Sequence, residues 1–270
     1  MKVLRIISKK LREVLALLKL LDAEFRKIKR QTMLAACLFP LPLTVVIVHA
    51  KLDYDVLLMF VMEFGFFLVL PIVLGIIASI LFRMESENGT LKTLSVIPVP
   101  RWKLLGAKVI VIYILAIFYG VAAIGATMIG GFFTGNVSNI LLNLAISLIM
   151  SVLIATATLP VIAVTVILIA TGVKICCKLT TLNFILPTLC SVIYAIVSFV
   201  FSIMMLKVPA PLTLLFRCSL PYITATPERI ESVESVQNWV LPVFPCIIAL
   251  IGIGIVCMAL SAHFYQKQEV

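Results

Sequence analysis

The chain has 270 residues, of which 63% are hydrophobic and only 13% charged, and its formal net charge is +10. A soluble domain carries about twice that charge fraction and could not hide so much apolar surface, which excludes a soluble enzyme. The basic residues lie between apolar runs and not on one face, so they speak for membrane orientation and against nucleic-acid binding.

Residues 1–30 place Leu4, Ile7, Leu11, Val14, Leu18, Leu21, Phe25 and Ile28 alternately three and four apart, the period of an amphipathic helix. Ten Lys/Arg face three acids there, Glu13, Asp22 and Glu24. A coiled-coil seam would satisfy the spacing. The additional Leu15, Leu17 and Leu20 widen the stripe and favour a helix lying in the inner membrane interface, its basic faces toward anionic lipid. The charges leave no uninterrupted apolar core, so no cleavable signal peptide is expected.

Residues 31–270 form the second unit. Apolar runs of about 20 residues, enough to cross a hydrocarbon core of ~30 Å, recur near 32–50, 56–82, 105–130, 140–172, 183–206 and 241–264. The predicted fold is therefore an all-α polytopic membrane protein: six transmembrane helices preceded by the interfacial helix. The fourth run exceeds one crossing, and Pro160 predicts a kink unless its first turns lie along the outer interface. The short acidic "KLDYD" joins runs one and two, and the Gly-rich "GGFFTGNVSN" joins three and four. Most of the seven cysteines lie inside apolar runs, and Cys176 and Cys177 are adjacent, so neither a metal site nor a disulfide framework is expected.

Lys and Arg set the orientation. With the N-terminus inside, eighteen fall on the cytoplasmic side and four outside (Lys51, Lys207, Arg217 and Arg229). Both termini are then cytoplasmic, and so is the polar stretch 83–103, "RMESENGTLKTLSVIPVPRWK". Gly89 breaks the exit from run two, Thr90 can cap, Leu91 and Leu94 share a face, and Pro98 and Pro100 stop the helix. Trp102 occupies an interfacial position. Such a short helix parallel to the membrane can dock a soluble partner; an ordinary topology-setting loop accounts for the local pattern equally well.

Two features face the other way. The segment 207–240 begins with an apolar piece too short to cross, read as re-entrant or interfacial. "TPER" at 226–229 then starts a helix carrying Glu228, Glu231 and Glu234 at spacing three. Glu63 is the sole acid inside a predicted span, about eight residues or roughly 12 Å from its outer end. An ionisable group there is a functional candidate, and a plain structural hydrogen bond is the competing reading.

The stretch "ESENGTLKTLSVIPVPRWKLLGAK" resembles the segment between the second and third spans of type-2 ATP-binding-cassette (ABC) exporter permeases: acid, x, acid, x, Gly-Thr, x-Lys, x-Leu, then Pro, Arg, and a Lys opening the next span. Glu85, Glu87, Gly89, Thr90, Lys92, Leu94, Pro98, Arg101 and Lys108 fall on those positions. Pro100 departs from the small polar residue usual there. "LPIVLGIIASILFRMESENGT" is most similar to permeases of bacitracin and lantibiotic self-protection.

The resemblance implies a transport subunit in the bacterial plasma membrane, paired with a second permease as a homodimer or heterodimer. Two copies of an ABC ATPase subunit would dock on Glu85, Glu87, Gly89, Thr90, Leu91, Lys92, Leu94, Pro98 and Arg101. ATP and Mg would be bound by that partner, with no cofactor in this chain, which has no GxxxxGK[ST] motif. Glu63, Glu228, Glu231 and Glu234 are the candidates for the path of an amphipathic peptide. A proton-coupled carrier with Glu63 as its proton site is the alternative. An intramembrane protease is disfavoured because His49 and His263 match no metal-ligand spacing.

Overall fold

A computed structural model describes residues 18, 20–23, 25, 26, 40, 45, 54–87, 101–134, 140–170, 182–223 and 238–266. The expected first span, 32–50, lies outside the described residues except for helical Pro40 and Val45. Positions 18, 20–23, 25 and 26 are helical, and Arg26 pairs with Asp22 one turn back at 2.8 Å. Leu20 and Leu21 rest on the core, whereas Leu18, from the predicted stripe, is exposed.

Five helices among the described residues are long and apolar enough to cross a membrane. Span two is built from α1 (Tyr54–Phe60), a π-helical segment (Val61–Val69) and α2 (Leu70–Glu87). Span three is α3 (Arg101–Thr134), and span four is α4 (Ile140–Ala157) followed by α5 (Leu159–Ala170). Span five is α6 (Leu182–Ile203), and span six is α8 (Val243–Gln266). Between them lies the shorter α7 (Pro211–Ile223). The chain is an all-α polytopic membrane protein.

Two helix ends reach beyond expectation. Span two continues to Glu87, through Glu85, where 82 was predicted. Span three begins at Arg101, where 105 was predicted. Hydropathy marks only the residues that lipid tails surround, while backbone hydrogen bonding carries a helix on into the polar interface. The 34 residues of α3 are about 51 Å long, well beyond a hydrocarbon core of ~30 Å.

Span two is the centre of the bundle, and its buried side chains include Leu57, Phe66, Leu70, Leu74, Ile77 and Leu81. Lipid tails exert no hydrophobic pull between helices, so close approach depends on small residues. Gly75 of α2 meets Ser191 of α6 so tightly that a Cβ there would overlap the serine's Cβ and Oγ. Gly120 of α3 meets Ser147 and Ser151 of α4, and Ser147 Oγ donates to the Gly120 carbonyl at 3.0 Å. Gly254 of α8 faces Thr156 and Leu159, where span four breaks.

The predicted irregularity at Pro160 appears as a break at Thr158. The Val161 and Ile162 N–H groups both turn to the Thr158 carbonyl, at 3.1 and 3.2 Å. The Ala157 carbonyl instead accepts the Tyr194 hydroxyl of α6 at 2.8 Å. Broken helices are tolerated at membrane depth where a neighbouring helix satisfies the released backbone group.

The apolar start of the 207–240 segment is α7. Its 13 residues are about 20 Å long, too short to cross. It is not laid on a surface: Leu212, Thr213, Leu215, Phe216, Arg217, Cys218 and Ser219 are all buried against the spans. The "TPER" helix with Glu228, Glu231 and Glu234 lies outside the described residues.

Candidate functional site

Glu63 lies in the π-helical segment of span two. Wide turns of this kind are uncommon and concentrate at functional sites. Here the Leu70 N–H reaches five residues back to the Gly65 carbonyl. That carbonyl also accepts the Tyr119 hydroxyl from span three at 2.7 Å. Phe66 packs edge-on against Tyr119, with centroids 5.6 Å apart. The distorted stretch is thus pinned to span three at one point.

The Glu63 side chain is half-buried, and among the described residues its carboxylate has no hydrogen-bond or ion-pair partner. Phe64 follows it in the chain and Phe60 lies three residues before it; the two rings stack at 5.6 Å, and Phe64 meets Phe199 of span five at 5.3 Å.

On span five, Val197, Ser198 and Phe201 line an apolar recess of about 440 Å³, closed by Pro160, Val161 and Val164 of span four and Ala210 before α7. The break at Thr158 and the Tyr194 hydroxyl bond shape its wall. The volume is in the range of small-molecule pockets.

At the far end of the bundle, Arg217 of α7 donates from Nε to the Trp239 carbonyl at 2.8 Å and lies 5.5 Å from the Trp239 ring centroid. Phe216 stands edge-on to both Trp239 and Phe67 of the π-helical segment. Arg217 was counted among the outside charges; it is in fact mostly enclosed, and it ties α7 to the start of span six. Sequence reasoning missed this pairing because it joins residues 22 apart, from α7 to the residues before span six.

At the opposite, basic end stand Arg83, Arg101, Lys103 and Lys108. Of the residues carried over from the exporter resemblance, Glu85 and Glu87 are in the last turn of α2, and Arg101 opens α3. Gly89, Thr90, Leu91, Lys92, Leu94 and Pro98 lie outside the described residues. Lys108 is completely buried; its Nζ donates to the Leu81 carbonyl at 2.6 Å and lies 5.0 Å from the Phe82 ring centroid. Phe82 in turn meets Tyr265 of span six at 6.1 Å, and Arg101 donates to the Gln266 carbonyl at 3.0 Å. A lysine seven residues into an apolar helix was the available signal for this cluster; its partners were not.

Four spans around a distorted central one, with a basic end and no soluble domain among the described residues, define a multi-pass membrane protein. The pattern of the ABC-2 family transporter proteins matches residues 20–198. The chain belongs to that family. Membership makes it the transport subunit of an ABC system and implies a separate ABC ATPase partner. No curated protein and no solved structure matches the chain.

Proposed function

We propose that this subunit exports an amphipathic, cationic peptide antibiotic of the bacitracin or lantibiotic type from the membrane of a bacterium, giving resistance or immunity to it. The observation that carries this reading is Glu63: a half-buried carboxylate without a partner among the described residues, set in a π-helical turn beside Phe60 and Phe64. A carboxylate beside aromatic rings suits an ammonium or guanidinium group. The recess along span five offers room for an apolar portion. Glu228, Glu231 and Glu234 add an acidic edge on the outer connection that attracts a cationic peptide at a distance.

In this reading the basic end is cytoplasmic, as are both termini, and the complex holds two permease chains and two ATPase subunits. The ATPases bind ATP and Mg and dock on the 83–103 segment. Nucleotide-driven closure biases the bundle between two packed arrangements. Because the family carries an ATPase partner, this account is preferred to proton coupling through Glu63.

The test is resistance to a cationic peptide antibiotic in cells expressing the complex. Glu63→Gln, and Gln at 228, 231 and 234 together, are each expected to lower resistance at unchanged expression and unchanged ATPase recovery. The loss in the triple variant should shrink as salt rises, because exposed charges are screened. If both variants protect as well as the parent, the acidic path is wrong, and these residues are structural.

A further inference from the structure

Arg101 came from the exporter resemblance as one residue of the ATPase-docking segment, but its guanidinium donates to the last carbonyl of span six, Gln266, at 3.0 Å. A cation is well placed there, where the carbonyls at a helix C-terminus lack partners and the dipole is negative. About two turns further along α3, the ammonium of Lys108 makes the second link. It is fully enclosed, hydrogen-bonded to the Leu81 carbonyl of span two at 2.6 Å and set against Phe82. Phe82 packs on Tyr265, the neighbour of Gln266, with centroids 6.1 Å apart.

The depth of Lys108 fits this role. If α3 overhangs a ~30 Å core evenly at its two ends, its first ten or so ångströms stand outside, and Lys108, about 10 Å from Arg101, lies at the hydrocarbon edge. An ammonium there could snorkel to water. Instead it points into protein. The chain of contacts therefore runs from Lys108 of span three, through Phe82 of span two, to Tyr265 of span six, and returns from Gln266 to Arg101 at the start of span three. Both flanks of the 83–103 segment are held to the last helix.

We propose that Arg101 and Lys108 form a clasp that makes span six follow the 83–103 segment, so that Arg101 is a positioning residue for transport and not a docking contact. The proposal rests on the permease reading above. A clasp predicts that breaking it separates two events: the ATPase still binds and still moves the 83–103 segment, but the movement no longer reaches span six.

Hydrogen exchange by mass spectrometry on the purified permease–ATPase complex reads both events at once, with and without ATP and vanadate. In the parent complex, trapping should change exchange about fivefold or more in peptides covering 83–103 and in those covering 255–270, the lower end of ordinary coupling between sites. In Arg101→Gln and in Lys108→Met the 83–103 response should persist, while the 255–270 response falls below about twofold. Arg101→Lys, which keeps a cation at the carbonyl, should recover most of it. Lys108→Met keeps the apolar stem, so a folding defect would show as lost protection throughout the spans in the nucleotide-free complex.

Loss of the ATPase subunit from the Arg101→Gln complex would make Arg101 a docking residue and overturn the proposal. So would a parent-like response at 255–270 in both variants, or no response there in the parent. Failure of any ATPase to accompany the parent chain would instead remove the permease reading on which the clasp depends.

Discussion

Replacing Gly75 by Ala tests whether the central helix is held by close packing against span five. A Cβ at this position overlaps both Cβ and Oγ of Ser191, and the Cβ cannot rotate away because it is fixed to the backbone of α6. Forcing a methyl group into a packed contact costs about 1–3 kcal/mol. Alanine recovers about 1 kcal/mol of helix propensity over glycine, so the net destabilisation should be about 0–2 kcal/mol. Gly252 is the control: a Cβ there meets nothing within 4 Å, so Gly252→Ala should be neutral or stabilising by up to about 1 kcal/mol. Ser191→Gly reopens the space, and the double variant Gly75→Ala/Ser191→Gly should be more stable than the two single changes summed, with a coupling energy of about 1–2 kcal/mol. Titration from dodecylmaltoside into SDS micelles, followed by helical circular dichroism, measures each midpoint. Equal midpoints for Gly75→Ala and Gly252→Ala, or strict additivity in the double variant, would refute the packing argument.

Tyr194→Phe leaves the Ala157 carbonyl at the span-four break without its donor; interhelical hydrogen bonds in membranes average about 0.6 kcal/mol and reach about 1.7, and the same titration should place this one in that range. After span five, Met205 takes a left-handed φ of 54° in a Schellman cap, with Leu206 N–H to Phe201 carbonyl at 3.0 Å and Met205 N–H to Ser202 carbonyl at 3.2 Å. Met205→Gly should therefore stabilise the protein by about 1 kcal/mol, read as a later SDS midpoint. Charge reversal at Glu85 and Glu87 together should reduce ATPase recovery in a pull-down without changing membrane insertion; equal recovery would remove these two acids from the docking surface. With Cys218 replaced, a cysteine at Asn136 should react with an impermeant thiol reagent added outside cells and one at Asn88 should not, and the reverse pattern would invert the orientation.

The all-α membrane architecture was legible in the sequence because the bilayer imposes it locally. A run of about 20 apolar residues crosses whatever its neighbours are, and backbone polar groups in lipid leave only a helix for such a run. Glu63 was legible for the same reason: one acid in an apolar run stands out without any knowledge of its surroundings. The residues around it were not. The π-helical turns depend on where the Leu70 N–H lands and are accompanied by a second donor to Gly65 from Tyr119, 54 residues away. The span-four break could be suspected from Pro160, but the Tyr194 hydroxyl that satisfies its released carbonyl belongs to another span. α7 was rightly judged too short to cross, yet only packing decided that its Arg217 is enclosed against Trp239. Likewise the pattern containing Arg101 and Lys108 could be read directly, while their partners Gln266, Leu81 and Phe82 could not. Spans that are apolar on every side carry little periodicity to say which face meets which neighbour, so the tertiary structure alone determines those pairings.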